Sequence, residues 1–366
     1  MALIRSRLRF ESVNIIRSKG LWRFPDRCAA NGVTVVSLYI SNPLARHLAQ
    51  NMTAEKLLTL PGGRKLAYEH AGIFTSLTLV IFFHGSLSVG SAARPSPVLL
   101  SKGVHYVAPT LPGYGNTSPP ARGTTYTATI ANDISTLIQH LYPETSNISL
   151  YICGHSFGSV AAQILYSTPT TVFPESRSIK GLLLISAFPP FRNDKEKGFV
   201  YTANMTWSTY MSVGPPSCFI PFRLVQQAIK FAIQPNFATQ ARAETFVRQF
   251  MFDIMGPKEK EVVEAWKKKN ESEEGELERQ IATLTRRSVE KTWEGFLSTP
   301  DVMNSDWDRT STPQQETESD HTEARKVLVV GGKDAYRVGR ISCEQVSERP
   351  WQVVRWGAYC RLLPYG

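Results

Sequence analysis

Residues Ile148–Leu165, ISLYICGHSFGSVAAQIL, decide how this chain is read. The first six residues are mostly apolar and β-forming, which reads as a strand, and SVAAQIL reads as a helix. Between them Gly154, His155, Ser156, Phe157 and Gly158 spell G-x-S-x-G. That pattern becomes a nucleophile elbow when a strand precedes it and a helix follows it, as here. The two glycines let the chain turn sharply without Cβ clashes, so the serine is held in a strained conformation at the carboxyl end of the strand with its hydroxyl exposed. The positive end of the following helix points at the same spot. Ser159, Ala161 and Ala162 are small, which suits close helix packing.

The flanking sequence repeats this grammar. Upstream, EKLLTL, the turn PGG and RKLAYEHAG predict a hairpin broken at Pro61–Gly63. LTLVIFFHG is a continuous apolar run, the mark of a strand buried on both faces, and VHYVAPTLPGYG is a short strand followed by a Pro/Gly loop. In TATIANDISTLIQHL the apolar residues Ile130, Ile134, Leu137, Ile138 and Leu141 recur at helical spacing. KGLLLISAF and, far downstream, RKVLVVGGKD predict two more buried strands. Strands alternating with helices imply an α/β fold, a mainly parallel sheet with helices on both faces. Residues 52–190 and 321–336 carry this core pattern. Residues 191–320 read as an inserted helical cap with FRLVQQAIKFAI and ETFVRQFMFDIMG as amphipathic helices, ending in a polar linker at 308–320. Within the cap, KEKEVVEAWKKKNESEEGELERQ reads as a solvated helix face.

The chain has 366 residues and a formal charge of +10, distributed unevenly. Residues 1–51 hold 8 Lys/Arg and 2 Asp/Glu, residues 52–320 hold 25 of each, and residues 321–366 hold 8 against 4. A folded domain that binds nucleic acid normally shows a basic stripe, so the neutral middle argues against a polyanionic partner. No apolar run is long enough for a membrane span. Five cysteines without CxxC spacing give no metal motif and no disulfide scaffold. The leader MALIRSRLRF lacks an uninterrupted apolar stretch with a cleavage site. A cytoplasmic location is the expectation, with a mitochondrial presequence as the alternative reading of the Arg-rich start.

Three further motifs make the chain resemble the α/β-hydrolase superfamily over residues 52 to about 336. FFHGS at Phe82–Ser86 resembles the family's HG loop after its third strand. APTLPGYGNTS resembles the loop after its fourth, departing at Thr110 where the family often has aspartate. By that resemblance the backbone N–H groups of Phe157 and of Ser86 or Leu87 form an oxyanion hole, and the elbow residues Gly154, His155 and Gly158 frame the nucleophile Ser156. Gly331-Gly332-Lys333-Asp334 resembles the family's acid turn and assigns Asp334 as the acid. His84 reads as a loop-packing histidine. The resemblance implies neither a cofactor nor a metal, and a small molecule as substrate.

The superfamily's order is serine, acid, histidine, yet the seven histidines are His47, His70, His84, His105, His140, His155 and His321, and none follows Asp334. Only His321 or His155 would be placed to substitute. After Tyr336 the sequence shows neither a clear last strand nor a Gly-His step, so residues 337–366, like the leader 1–51, read as foreign to the fold. The expectation is a serine hydrolase acting on a small apolar ester or related acyl compound, nearly inactive as written. The alternative is a non-catalytic ligand-binding protein on a hydrolase scaffold. Serine rather than aspartate at the elbow disfavours epoxide or haloalkane hydrolysis.

Overall fold

A computed structural model describes residues 54–144, 147–188, 207–269, 272–305, 307, 326–331 and 352–355. Eight strands form one sheet: β1 (Lys56–Thr59), β2 (Lys65–Gly72), β3 (Thr78–Phe83), β4 (His105–Pro109), β5 (Ser149–His155), β6 (Ile179–Ile185), β7 (Lys326–Gly331) and β8 (Gln352–Arg355). Their spatial order is β1-β2-β4-β3-β5-β6-β7-β8. The β1–β2 and β2–β4 pairs are antiparallel and all the others are parallel. The hairpin expected around Pro61–Gly63 is β1–β2.

Each face of the sheet is covered because the strands are apolar on both sides. On one face Leu79, Ile81, Phe83, Val107, Leu150, Ile152, Leu182 and Leu184 pack beneath α2 (Tyr126–Leu141) and α3 (Gly158–Ser167). On the other, Val80, Tyr106 and Ala108 pack with Leu99 of the short α1 (Pro97–Ser101). Burying one such aliphatic or aromatic side chain contributes roughly 1.5–3 kcal/mol. Thr125 caps α2 by accepting the Ala128 amide at 3.2 Å. Arg64, next to the β1–β2 turn, donates to both oxygens of the buried Asp133 of α2 at 2.7 and 2.9 Å, a bidentate clasp between hairpin and helix.

Register aligns the functional edge. Phe83, Gly154, Leu184, Val329 and Val353 form one row across β3, β5, β6, β7 and β8. The carboxyl ends of the central strands therefore lie side by side, where ligands bind in open α/β sheets.

Between β6 and β7 the chain builds helices α4 (Trp207–Val213), α5 (Leu224–Ile233), α6 (Gln240–Val247), α7 (Pro257–Lys269), α8 (Glu276–Val289), α9 (Glu294–Leu297) and α10 (Thr299–Met303). They enclose a second apolar core of Phe237, Val247, Leu277, Trp293 and Leu297. Contacts tie this helical unit to the strand-end loops: Gly295 N–H donates to Gly113 O at 2.8 Å, and Gly115 N–H to Ser288 O at 2.9 Å. Arg287 of α8 bridges Glu55 and the buried Glu69 at 2.9 and 3.1 Å.

Two expectations change. The segment after Tyr336 does contain a strand of the sheet: β8 pairs in parallel with β7, Leu328↔Gln352 to Gly331↔Arg355. Only four residues pair, and β-branched Val353 and Val354 between polar flanks are too brief a signal against Arg- and Trp-rich surroundings. The charged stretch from Lys258 is likewise not one solvated face. It forms parts of two helices, and Glu278 is buried, held by Lys267 at 3.0 Å. The leader 1–51, the linker 308–320 and most of 337–366 lie outside the described residues.

Candidate functional site

The elbow is built by close approach rather than by sequence preference alone. A Cβ on Gly158 would stand 2.3 Å from the Phe83 carbonyl oxygen, and one on Gly154 would stand 2.6 Å from the Gly158 carbonyl oxygen. A side chain at Gly154 would push β5 and α3 apart, and one at Gly158 would push α3 off the end of β3. Between them Ser156 adopts φ +51°, a left-handed conformation that costs a non-glycine residue about 1–2 kcal/mol.

Neighbouring bonds hold it there. Ser156 N–H donates to Ile185 O of β6 at 2.9 Å. The Ser159 hydroxyl donates to Ser156 O at 2.6 Å and accepts the Phe188 amide at 2.9 Å. Ser159 is thus the clamp of the turn, a role its small size did not announce. Beyond Ile185, Ser186 also has positive φ, +48°, and its amide donates to Val330 O at 2.8 Å.

The loop after β3 closes over the elbow. A Cβ on Gly85 would meet Ser156 Cβ at 3.3 Å and His155 Nδ1 at 3.2 Å. Ser86 and Leu87 follow directly, and Leu87 has φ +55°. The Ser86 hydroxyl is bonded to the hydroxyl of the buried Tyr114 at 3.2 Å. Tyr114 packs on Phe157, with ring centroids 6.3 Å apart. Leu87 packs against the apolar core of the helical unit. Ser156, Phe157, Ser86 and Leu87 are therefore brought to one place, with Tyr114 beneath them. Asp334 lies outside the described residues, three positions beyond the end of β7.

The described histidines divide clearly. His84 is buried, with Nε2 accepting the Leu111 amide at 2.9 Å and Nδ1 2.7 Å from the Gly85 carbonyl. The proton therefore sits on Nδ1, and burial lowers the imidazole to about 4. His70 and His105 bond to each other at 2.9 Å, and His105 to the Tyr142 hydroxyl at 2.7 Å. They sit where the start of β4 pairs with the end of β2, far along the strand from the elbow. Burial lowers both to about 4. His140 is exposed near the end of α2. His155 stands beside Ser156, its ring against Gly85, and burial lowers it also to about 4. Cys153, just before the elbow, is held as a thiol by burial, which pushes it up to about 12.

No group of three or more His, Cys, Asp or Glu placed to hold a metal occurs among the described residues. Nor is any helix among them long and apolar enough to cross a membrane.

Comparison with solved structures finds the same architecture. Epoxide hydrolase A from Mycobacterium thermoresistibile is 16% identical with a TM-score of 0.52, the match covering 83% of this chain and 91% of that one. An epoxide hydrolase from Vigna radiata is 18% identical with a TM-score of 0.50, covering 84% and 92%. An esterase from Exiguobacterium antarcticum is 15% identical with a TM-score of 0.48, covering 82% and 90%. At such identities the likeness to the two epoxide hydrolases is one of fold. No curated protein sequence matches. The model of the alpha/beta hydrolase family matches residues 80–358, from within β3 to past β8. A match over most of the chain, together with the sheet order that carries Ser156 at the end of β5, makes this protein a member of the alpha/beta hydrolase family.

Proposed function

We propose that the protein is a serine hydrolase acting on a small apolar ester or related acyl compound. The observation that carries this reading is Ser156 at φ +51° between two glycines that tolerate no Cβ, with the Gly85–Leu87 loop against it. Strain of this kind persists only where surrounding structure over-determines it, and it aims the hydroxyl out of the turn. In the reaction Ser156 Oγ attacks the acyl carbonyl and its proton passes to a base. The carbonyl oxygen becomes an alkoxide facing the amides of Phe157 and of Ser86 or Leu87. Collapse expels the alcohol, which takes the proton, and water then releases the acid from the acyl-serine. Each amide aimed at the alkoxide supplies about 3 kcal/mol. The helical unit between β6 and β7 acts as the cap, its apolar core meeting Leu87 beside the nucleophile.

Asp334 is the proposed acid, and by the family's pattern it would orient a histidine. His84 has both ring nitrogens committed, and the His70–His105 pair lies elsewhere. Where no histidine completes the triad, its loss costs several orders of magnitude in rate, so slow turnover is the expectation. Steady-state hydrolysis of short-chain p-nitrophenyl esters tests the reading. A rate slow but above background, abolished by Ser156→Ala, is expected, and a rate unchanged in that variant would refute it.

A second reading, a non-catalytic ligand-binding protein on this scaffold, draws on the same disposition of the described histidines. It predicts retained binding of an apolar ester with no Ser156-dependent release of alcohol.

A further inference from the structure

The helical unit meets the strand-end loops at two glycines. A Cβ on Gly113 would stand 2.7 Å from the Gly295 nitrogen, and one on Gly295 would stand 2.4 Å from Cδ2 of Tyr114. With neither present, Gly295 N–H reaches Gly113 O at 2.8 Å, and the Tyr114 ring, 1% exposed, lies directly on α9. Tyr114 therefore touches both the helical unit and Phe157, the residue after the nucleophile.

The phenol of Tyr114 has three hydrogen-bond partners: the Ser86 hydroxyl at 3.2 Å, the Leu87 backbone amide and the Thr299 side chain. A hydroxyl has one hydrogen to give. Thr299, the first residue of α10, gives its hydrogen to Gly295 O at 3.2 Å, so toward the phenol it accepts. The phenol hydrogen points to Thr299, and burial, which raises the Tyr114 phenol, keeps that hydrogen in place. The phenol oxygen is left to accept from Leu87 N–H and from the Ser86 hydroxyl. One directional chain thus runs from the Ser86–Leu87 loop through Tyr114 and Thr299 to the Gly295 carbonyl of the helical unit.

This chain constrains the loop beside Ser156. Leu87 has φ +55°, a conformation that persists only where the surroundings over-determine it, and the bond from its amide to the phenol supplies part of that constraint. With the Leu87 amide committed, the Ser86 amide is the one left to face the alkoxide. Without Thr299 the buried phenol hydrogen has no acceptor in the helical unit. It then turns toward Ser86 and competes with the two loop donors.

We propose that Thr299 is a positioning residue for the reaction at Ser156: held by the helical unit, it fixes the Tyr114 hydroxyl and, through it, the Ser86–Leu87 loop that carries an oxyanion donor. Seating of the helical unit thereby sets the geometry of the oxyanion hole. The catalytic part rests on Ser156 being a nucleophile, whereas the fixing of the loop does not.

Thr299→Val keeps the side-chain shape and removes the acceptor, whereas Thr299→Ser retains it, and two measurements on the full chain use this contrast. In hydrogen exchange read by mass spectrometry, the peptide covering Ser86–Leu87 should exchange at least about fivefold faster in Thr299→Val and at the wild-type rate in Thr299→Ser. In fluorophosphonate labelling, Ser156 of Thr299→Val should react about fivefold more slowly at saturating probe, with probe affinity little changed. Thr299→Val added to Tyr114→Phe should slow labelling no further, because the hydroxyl it acts through is already gone. Loop exchange unchanged in Thr299→Val would overturn the proposal, as would additive slowing in the double variant. Wild-type protein with no uptake at Ser156 would instead refute the hydrolase reading, and the exchange measurement then decides by itself whether Thr299 fixes the loop.

Discussion

The amide of Leu111 donates to Nε2 of His84 across 2.9 Å, joining the loop after β4 to the loop after β3 at the floor of the candidate site. Because that nitrogen must accept, the ring is neutral with its proton on Nδ1, toward the Gly85 carbonyl. Protonation of Nε2 would set two N–H groups against each other. The folded-state value near 4 lies below the ordinary histidine value of 6.5, so the unfolded chain binds the proton first as pH falls. The stability from neutral His84 is complete above about pH 6.5 and is lost as pH falls toward 4. Over that window His84 contributes a slope of about 1.4 kcal/mol per pH unit. Urea unfolding between pH 7 and 4 should show the decline, and His84→Asn should flatten it by one proton.

Tyr114 reaches the Ser86 hydroxyl from beneath the loop proposed to stabilise the alkoxide. Tyr114→Phe keeps the buried ring and removes that bond. The expected result is a stability loss of about 1 kcal/mol, with kcat for p-nitrophenyl esters reduced about tenfold and KM nearly unchanged. A change confined to KM would assign Tyr114 to substrate binding instead of loop positioning.

The two elbow glycines should differ sharply from those in open turns. Gly158→Ala places a methyl against the Phe83 and His84 carbonyl oxygens, 2.3 and 2.4 Å away. It should destabilise by about 3 kcal/mol or more. Gly62 has φ +76° with nothing within 4 Å, and Gly62→Ala should cost only about 1 kcal/mol. Thermal or urea midpoints of the two variants measured side by side check the contrast.

Arg287 serves two carboxylates, Glu55 and the buried Glu69, whose other oxygen accepts the Ser91 hydroxyl and the Ala92 amide. Arg287→Leu leaves a buried carboxylate without its cation and should destabilise by about 3 kcal/mol. Adding Glu69→Gln should recover part of that loss, because the remaining group is then neutral. A double-mutant cycle in urea measures the coupling.

Much of this fold is legible in the chain because its signals are local. The apolar runs that become β3, β5, β6 and β7, the spacing of Ile130, Ile134 and Leu137 on α2, and the Gly-Ser-Gly elbow are each complete within a few residues. The illegible parts depend on distance along the chain or on brevity. Arg287 meets partners 218 and 232 residues away, and no pattern around it marks that pairing. β8 pairs over four residues, fewer than periodicity needs. Tyr114 read as one residue of a Pro/Gly loop, and its bond to Ser86 follows only from the β3–β4 pairing that sets the two loops together. The clamp by Ser159 needs the φ of Ser156 to be known first.

If Ser156 is a nucleophile, labelling of the intact protein with a fluorophosphonate will show it. The probe's phosphorus accepts the serine oxygen and loses fluoride, so it reports an activated hydroxyl without requiring a complete hydrolytic cycle. Covalent uptake located by mass spectrometry at Ser156 is expected, slow relative to an enzyme with a complete triad, absent in Ser156→Ala and retained in His84→Asn. A folded protein whose Ser156 stays unmodified over hours in excess probe would contradict it.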